Sequence, residues 1–342
     1  MFKRIVLANR PTSDATEENF SVETFESPEL DDGQVSVRVS HFSLDPYMRG
    51  RMDDVRSYAP PVQLGHTMEA GAIGVIEESR FPGLVKDQLV YGRLGWTELS
   101  VIDGQQVQVV PESIQPNSLA LGVLGMPGFT GWWGFLRYGL PREGETIVIG
   151  AVTGPVGSMV AQLAKLRGLR VIGIAGSDQK CDLALNQFGV DHCLNHRSYS
   201  DPRDLENAIK EYAPGGIDIY FENVGGKLLE AVVPCMREHG RIVVCGMISW
   251  YNSGGLGAGA QTDTLNVPKL WRSILVHKLS VKGFIISDHW SHYEEFVADV
   301  APLVATNAIK YLEDVVEGIE RAPNAFIGLL RGDNLGKLLV KV

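Results

Sequence analysis

The sequence contains few cysteines, no excess of positive charge and no long uninterrupted apolar segment. Four cysteines in 342 residues, with no CxxC pair, are too few for a disulfide scaffold and favour a reducing, cytoplasmic setting. Lysine and arginine total 31 against 41 acidic residues, so with a net charge of −10 neither nucleic acid nor anionic lipid is an expected partner. The apolar run at residues 5–8 is too short for the hydrophobic part of a secretion signal.

Residues 118–136 approach the length of a membrane span. They carry no charge, and about 20 mostly apolar residues are needed to cross a bilayer. Glycine recurs at every third position from Gly122 to Gly134, however, and Pro127 interrupts the segment. We therefore predict a buried interdomain segment with closely approaching backbone, and no membrane partner.

The length and a change of pattern along the chain favour two domains. The first part of the chain is β-rich, with strands predicted at residues 34–40, 70–76 and 88–91. From residue 145 onward, apolar runs alternate with helical segments, which predicts an α/β doubly wound parallel sheet. Its predicted strands are residues 146–149, 170–174, 217–221, 241–244 and 279–283. The tail from residue 291 begins helical and ends in a turn and a strand.

Residues 146–158 have the pattern of a strand, a glycine-rich turn and a helix. Pro155 suits the first helical position, Gly154 would let the backbone approach phosphates, and Gly157 would let the helix pack against the sheet. The first glycine of a GxGxxG fingerprint is missing, because Val152 stands there. The pattern favours dinucleotide binding, and a plain tight turn is the alternative.

The second predicted strand of this region ends without the acidic residue that usually holds the ribose of NAD. Asp178 lies beyond the bend, and Lys180 follows it. A lysine there can contact a 2′-phosphate as a point charge, which an acidic protein would need locally. The alternative is an ordinary solvated lysine.

His66 and Glu69 are three residues apart and invite comparison with a zinc site. A catalytic zinc needs three protein ligands, and no cysteine precedes Cys181. We therefore predict no metal, and we interpret His66 and His41 as polar or packing residues.

Several ordered motifs carry a family resemblance over nearly the whole chain. They are SLDPYMRGRM at 43–52, LGMPG at 124–128, FENVGG at 221–226, CGMISWYN at 245–252, GFI at 283–285 and GDNLGK at 332–337. The chain resembles the zinc-independent medium-chain dehydrogenase/reductases, in the leukotriene B4 12-hydroxydehydrogenase / prostaglandin reductase group. Residues 57–65 are most similar to its bacterial curcumin-reductase branch.

The resemblance implies a GroES-like domain over residues 1–122 and 303–342, a Rossmann domain over 123–302, and a homodimer. It implies that NADPH is the cofactor. The cofactor contacts it implies are Gly154, Pro155, Val156, Gly157, Lys180, His196, Asn223, Cys245, Gly246, Ile248, Ser249, Tyr251, Phe284, Ile286 and Asn334. His196 stands where the family often has tyrosine, and could meet phosphate as a weak, pH-dependent cation.

The activity that the resemblance implies is reduction of a carbon–carbon double bond conjugated to a ketone or aldehyde, in a small apolar substrate. Nicotinamide would supply hydride to the β-carbon, and Tyr58, Tyr251 or both would donate a hydrogen bond to the carbonyl oxygen. Tyr47 is a weaker candidate for the substrate pocket. Trp132 suggests an aromatic pocket wall, which core packing explains equally well. A quinone reductase and a non-catalytic NADPH-binding protein are the alternatives.

Overall fold

The computed structural model describes residues 1–55, 57–252 and 267–342. The strands in these residues are β1 (Phe2–Leu7), β2 (Phe20–Phe25), β3 (Gln34–Ser43), β4 (Ala72–Ser79), β5 (Leu89–Gly92), β6 (Leu99–Asp103), β7 (Val107–Val109), β8 (Thr146–Gly150), β9 (Arg170–Ala175), β10 (His192–Asn195), β11 (Ile217–Glu222), β12 (Met236–Val244), β13 (Ser280–Gly283), β14 (Glu313–Glu317) and β15 (Lys337–Lys341). The helices are α1 (Met48–Arg51), α2 (Met126–Trp133), α3 (Pro155–Leu166), α4 (Asp178–Phe188), α5 (Pro202–Tyr212), α6 (Gly226–Val232), α7 (Val267–Val276), α8 (Tyr293–Ala305) and α9 (Ala322–Arg331).

The described residues form two compact units. Unit 1 contains residues 1–125, 251–252 and 313–342, and unit 2 contains residues 126–250 and 267–312. The chain leaves unit 1 after residue 125 and returns to it later, so unit 1 is built from separate segments of the sequence. The domain boundaries given above stay a prediction.

Unit 2 is built on a six-stranded parallel sheet. Its strand order is β10-β9-β8-β11-β12-β13, so the order reverses between β8 and β11. Because parallel strands are covered on both faces, they are apolar along their length, as in β8, where Ile147, Val148 and Ile149 are fully buried. The predicted doubly wound α/β fold is confirmed. The edge strand β10 was not predicted.

Unit 1 is β-rich. Its larger sheet has the order β14-β15-β3-β4-β5-β7, with β6 also paired to β3, while β1 and β2 form a separate antiparallel pair. Trp96 lies at the centre of the core, stacked at 5.5 Å on Phe20 and 5.9 Å on Phe42 between ring centroids. The β-rich first domain that the sequence predicted is confirmed.

The uncharged segment at residues 118–136 folds into short helices. A 3-10 helix covers Asn117–Leu121, α2 follows, and a π-helical turn covers Gly134–Gly139. A Cβ added to Gly131 would lie 2.9 Å from the carbonyl oxygen of Val156 in α3, so α2 and α3 pack at close backbone approach, as predicted. Among the described residues, no helix is both long enough and apolar enough to cross a membrane.

Candidate functional site

The turn between β8 and α3 has the geometry of a phosphate-binding turn. Ala151 takes a positive φ of 50°, Gly154 precedes the helix with extended backbone, and Pro155 is its first residue. A Cβ on Gly157 would lie 2.4 Å from the carbonyl oxygen of Ala151, so only glycine lets the helix come this close to the turn. The first amide groups of a helix have no intrahelical partner and attract anions, and this turn therefore fits a pyrophosphate.

Gly154 has open space beside it. A Cβ built there would have only the carbonyl oxygen of Ala151 within 4 Å, at 3.4 Å, so protein packing does not require glycine at this position. The free space lies at the start of the helix, where a bound phosphate would approach the backbone. The two glycines of the turn thus have different roles.

A cluster of cations surrounds His196, directly after β10. Lys227 donates from Nζ to the carbonyl oxygens of His196 and Tyr199, at 2.8 and 2.6 Å, and so holds the loop after β10. Arg197 and His196 both lie against Gly176 at the end of β9, 3.5 and 3.6 Å from its ideal Cβ position. Lys180 is half-buried in the first turn of α4. The ends of β9 and β10 therefore carry several positive groups.

Burial, with added repulsion from Lys227, Arg197 and Lys180, lowers the pKa of His196 to about 4. The Nδ1 atom of His196 is buried and has no hydrogen-bond partner among the described residues. His196 is therefore neutral at pH 7 rather than the weak cation expected from the sequence, and the positive charge that a phosphate would meet here belongs to Lys180, Arg197 and Lys227. These residues fit the 2′-phosphate of NADPH. The sequence predicted Lys180 and His196 but not Arg197 and Lys227. Arg197 comes close through the pairing of β10 with β9, and Lys227 reaches the loop after β10 from α6.

The loop after β11 is organised by a buried carboxylate. Glu222 accepts hydrogen bonds from the Tyr220 hydroxyl at 2.7 Å and from the amides of Val224 and Gly225 at 2.5 and 2.9 Å. Burial raises the pKa of Glu222. Asn223 then follows at the strand end, as predicted, and donates from Nδ2 to the carbonyl oxygen of Gly150 in β8 at 2.8 Å.

The loop after β12 is bonded to the loop after β11. The amides of Cys245 and Gly246 donate to the Glu222 carbonyl oxygen at 2.9 and 3.1 Å, and that of Ile248 donates to Asn223 at 3.2 Å. Ser249 donates from Oγ to the carbonyl oxygen of Val224 at 2.6 Å. These four candidates and Asn223 are therefore brought together. Burial raises the pKa of Cys245 to about 12, so its thiol is neutral.

The end of β13 places two further candidates in unit 2. Phe284 follows the strand, and its Cζ lies 2.7 Å from the position of a Cβ on Gly134, so the ring packs directly on that backbone. Its centroid is 5.4 Å from the ring of Tyr138. Ile286 begins the 3-10 segment Ile286–His292. Both candidates thus lie at the carboxyl end of a parallel strand, the edge where α/β sheets bind ligands.

Two candidate tyrosines of unit 1 share one buried arginine. The Cζ atom of Arg51 lies 4.4 Å from the ring centroid of Tyr58 and 5.8 Å from that of Tyr47. Arg51 also donates to Oε1 of Glu69 at 2.8 Å and to the carbonyl oxygen of Ala59 at 2.9 Å. The guanidinium group therefore holds the loop that carries Tyr58.

The phenols of this cluster stay protonated at neutral pH. Desolvation raises the pKa of Tyr58, although 45% of the residue is exposed, and burial raises the pKa of Tyr47 well above 10. Burial, together with the charge of Asp45, also raises the pKa of Tyr91 to about 12. Each group can thus donate a hydrogen bond. Tyr91 was missed because its sequence context indicates only a strand.

Tyr251 and Asn334 also belong to unit 1. Tyr251 is 8% exposed, and the next residue, Asn252, accepts a hydrogen bond from Nε of Arg49 at 3.1 Å. Arg49 and Arg51 both lie in α1, so this helix ties down the start of the Tyr251 segment as well as the Tyr58 loop. Asn334 donates from Nδ2 to the carbonyl oxygen of Gly336 at 2.6 Å, which fixes its side chain within the turn before β15.

Trp132 lies in an aromatic cluster of unit 2. Its Nε1 donates to Oδ2 of Asp299 at 2.7 Å, and its ring centroid is 6.1 Å from Phe129 and 5.8 Å from Phe296. Only 2% of Trp132 is exposed. This placement favours the packing interpretation, and its role in a substrate pocket stays a prediction.

The histidines considered for zinc are placed apart from any ligand cluster. His66 is exposed, Glu69 is paired with Arg51, and His41 contacts the Ser40 hydroxyl at 3.3 Å. Residues 1–55, 57–252 and 267–342 contain no group of three or more His, Cys, Asp or Glu side chains that could hold a metal ion. That no metal is bound stays a prediction.

Two family profiles match this chain. The one described as the N-terminal domain of oxidoreductase covers residues 3–110, and the one described as zinc-binding dehydrogenase covers residues 155–302. The NADPH-dependent curcumin reductase of Escherichia coli is 41% identical over 341 residues, which are 99% of this chain and 96% of that protein. The NADP(+)-dependent 2-alkenal reductase of Nicotiana tabacum is 37% identical over 346 residues, 99% of this chain and 97% of that protein.

Solved structures agree with these sequence matches. The structure of CurA from Vibrio vulnificus in complex with NADPH is 40% identical, covers 99% of both chains and superposes with a TM-score of 0.91. Identity at this level over the full length is too high to reflect the fold alone. The chain belongs to the zinc-independent medium-chain dehydrogenase/reductase family, in the group that contains the curcumin, alkenal and prostaglandin reductases.

Proposed function

We propose that this protein is an NADPH-dependent reductase of carbon–carbon double bonds conjugated to a ketone or aldehyde. The observation that carries the proposal is the tyrosine cluster around Arg51, whose phenols are protonated and can donate to a carbonyl oxygen. The curcumin reductase of E. coli and the tobacco 2-alkenal reductase, both similar over 99% of this chain, support it.

Unit 2 holds NADPH. The turn at Gly154–Gly157 binds the pyrophosphate, and the cations around His196 bind the 2′-phosphate. The loop after β12, with Phe284 and Ile286 at the end of β13, accommodates the nicotinamide half, and Asn223 after β11 is assigned to the adenosine side on the family resemblance. Bound NADPH supplies the hydride, which no side chain can provide. The NADPH complex of the similar Vibrio protein supports this choice of cofactor.

The tyrosines of unit 1 act on the substrate. Hydride addition to the β-carbon of an enone places negative charge on the carbonyl oxygen, and a positioned donor lowers the energy of that charge. We assign this donor to Tyr58, Tyr251 or both, and the choice between them stays open. Removal of one such donor costs about 10²-fold or more in turnover. Asn334 is assigned a contact near the nicotinamide on the family resemblance.

The decisive experiment is an NADPH oxidation assay over alkenals, cyclic enones, curcumin-like diones and quinones, repeated with NADH. We expect turnover of enones or enals with NADPH. Tyr58→Phe and Tyr251→Phe are assayed beside Tyr311→Phe, a matched change at a partly exposed tyrosine. Turnover of quinones alone would replace the proposal with a quinone reductase, and NADPH binding without any turnover would replace it with a non-catalytic role.

We also propose a homodimer formed through the edge of unit 2. In the part of the chain that the structure describes, β13 is the last strand of the sheet, and all four of its residues are exposed. On α7, 68% of Trp271 and 79% of Leu275 are exposed. An uncovered edge strand beside large apolar side chains invites pairing with the same edge of a second copy. Light scattering should give twice the chain mass, and Leu275→Glu should yield monomers; a monomeric wild type would contradict the proposal.

The cytoplasmic setting is part of the same proposal. All four cysteines are free thiols, which is the usual state in a reducing compartment. Localisation of a tagged full-length chain tests it, and secretion of the protein would contradict it.

A further inference from the structure

Two of the four cysteines face each other between α4 and β10. Cys181 lies in α4 and Cys193 in β10, and their thiols are near enough to each other that each changes the pKa of the other. A second contact joins the same strand and helix: Asn195 in β10 donates from Nδ2 to Oδ1 of Asp178 in α4 at 2.9 Å. Residues 193 and 195 share one face of a strand, and residues 178 and 181 share one face of a helix. Two independent contacts thus place the thiols side by side.

The other two cysteines have different surroundings. The thiol of Cys235 donates from Sγ to the backbone carbonyl oxygen of Ala231 at 3.4 Å. Cys245 is held in the loop bonded to Glu222. Cys181 is 7% exposed, and Cys193 is partly exposed on the edge strand β10. Among the four cysteines, this pair is the one positioned to form an intramolecular disulfide.

The pair adjoins the cation cluster. Cys181 directly follows Lys180, and His196 comes three residues after Cys193. The amide of Lys180 donates to the Ser177 hydroxyl that caps α4, so Lys180 moves with the first turn of that helix. A displacement of this turn relative to β10 would change the spacing between Lys180 and His196.

We propose that Cys181 and Cys193 form a peroxide-oxidised disulfide that weakens the binding of NADPH. One of the two sulfurs, as a thiolate, attacks hydrogen peroxide; the O–O bond breaks, and a sulfenic acid forms together with hydroxide, which takes up a proton to give water. The other sulfur then attacks the sulfenic acid sulfur, the S–S bond forms, and the hydroxyl group leaves with a proton as a second water. The two thiols lose two electrons and two protons in total, and the peroxide is reduced to two waters.

The expected consequence follows from bond length. A disulfide holds its sulfurs about 2.05 Å apart, much closer than two hydrogen-bonded thiols. Its formation therefore draws the first turns of α4 toward β10 and displaces Lys180. Loss of one charge-assisted phosphate contact would weaken NADPH binding about tenfold and leave NADH binding unchanged.

Oxidation of the full-length protein with hydrogen peroxide tests the covalent step. Mass spectrometry of a non-reduced digest should find the Cys181 and Cys193 peptides joined and two hydrogens lighter, and a thiol reductant should separate them. Cys235→Ser should still form the linkage, and Cys193→Ser should not. If neither the wild type nor Cys235→Ser forms the linkage, the proposal is overturned. The test requires no substitution of the buried Cys181.

Titration of reduced and oxidised protein with NADPH tests the consequence, which rests on the proposed function. We expect about tenfold weaker binding after oxidation, restored by reductant. By reciprocity, saturating NADPH should raise the reduction potential of the disulfide by about 30 mV. A disulfide with unchanged NADPH affinity would overturn the regulatory step. If reduced protein binds no NADPH, the proposed function and this consequence both fail, while the disulfide result still decides the oxidation site.

Discussion

The two glycines of the β8–α3 turn should separate folding from cofactor binding. In Gly157→Ala, the new Cβ would lie 2.4 Å from the Ala151 carbonyl oxygen and 2.8 Å from the Val152 Cα. Both atoms belong to the backbone and cannot rotate away, so the turn must shift. In Gly154→Ala the nearest atom would be 3.4 Å away, and the φ of −65° suits alanine.

The magnitudes follow from these distances. Overpacking of this kind costs about 1–3 kcal/mol, which for a domain of this size lowers Tm by about 2–10 °C in Gly157→Ala. Gly154→Ala should change Tm by no more than about 1–2 °C, because the backbone conformation is already allowed and a weak cap preference offsets the entropic gain. Its methyl group occupies the space assigned to the pyrophosphate, so the KM for NADPH should rise about tenfold or more.

Differential scanning calorimetry and steady-state kinetics with varied NADPH measure the two effects on the same preparations. Gly189→Ala is unsuitable as a control, because Gly189 has a φ of +68°, whereas Gly215→Ala meets open space without such a φ. A Gly154→Ala protein with unchanged KM would refute the assignment of the pyrophosphate to this turn. A Gly157→Ala protein with unchanged Tm would refute the packing argument.

Three other substitutions test the remaining parts of the site. Arg197→Ala should raise the KM for NADPH about 10- to 100-fold and leave NADH unaffected, because one charge-assisted contact to the 2′-phosphate is lost. Arg51→Lys should lower kcat about tenfold, since lysine cannot reproduce the planar fork that holds Tyr58, and should have no further effect when Tyr58 is already phenylalanine. Between pH 6.5 and 4, the free energy of unfolding of the wild type should fall by at most about 3 kcal/mol. Burial keeps the pKa of His196 near 4 in the folded protein, so in this range the unfolded chain binds a proton that the folded protein does not bind. His196→Gln should flatten that dependence.

Each of these has a contrary outcome. Arg170→Ala removes a cation at the opposite end of β9 and serves as the charge-matched control, so an equal effect there would attribute the Arg197 result to net charge. Additive effects of the Arg51 and Tyr58 changes would show that Arg51 does not act through that tyrosine. A wild-type slope of unfolding free energy against pH in His196→Gln would place the acid sensitivity elsewhere.

The fold of unit 2 could be predicted because its parallel strands are continuous apolar runs bounded by helices with clear caps. Predicted residues 146–149 and 170–174 correspond to β8 and β9 within one residue. β10 was missed because His192–Asn195 is a short, largely polar edge strand. In unit 1, β1 and β2 were missed because their stability depends on antiparallel partners elsewhere in the chain rather than on a local pattern.

The candidate site was predictable where a local motif sets the chemistry. Gly154 and Gly157 follow from the turn, and Lys180 follows from its distance beyond the turn. Arg51 was not found as the residue that holds Tyr58, since only the tertiary structure shows its guanidinium against that ring. Arg197 was missed for the same reason, because its proximity to Gly176 is a result of the pairing of β10 with β9.

The position of β15 has a consequence for synthesis of the protein. β15 lies between β14 and β3 in the larger sheet of unit 1, and its Lys337 donates from Nζ to buried Asp45 at 2.8 Å. During translation, Asp45 leaves the ribosome almost three hundred residues before Lys337. The whole sheet of unit 2 can therefore form on the ribosome while unit 1 still lacks an internal strand, and β3 must stay available for pairing throughout that interval.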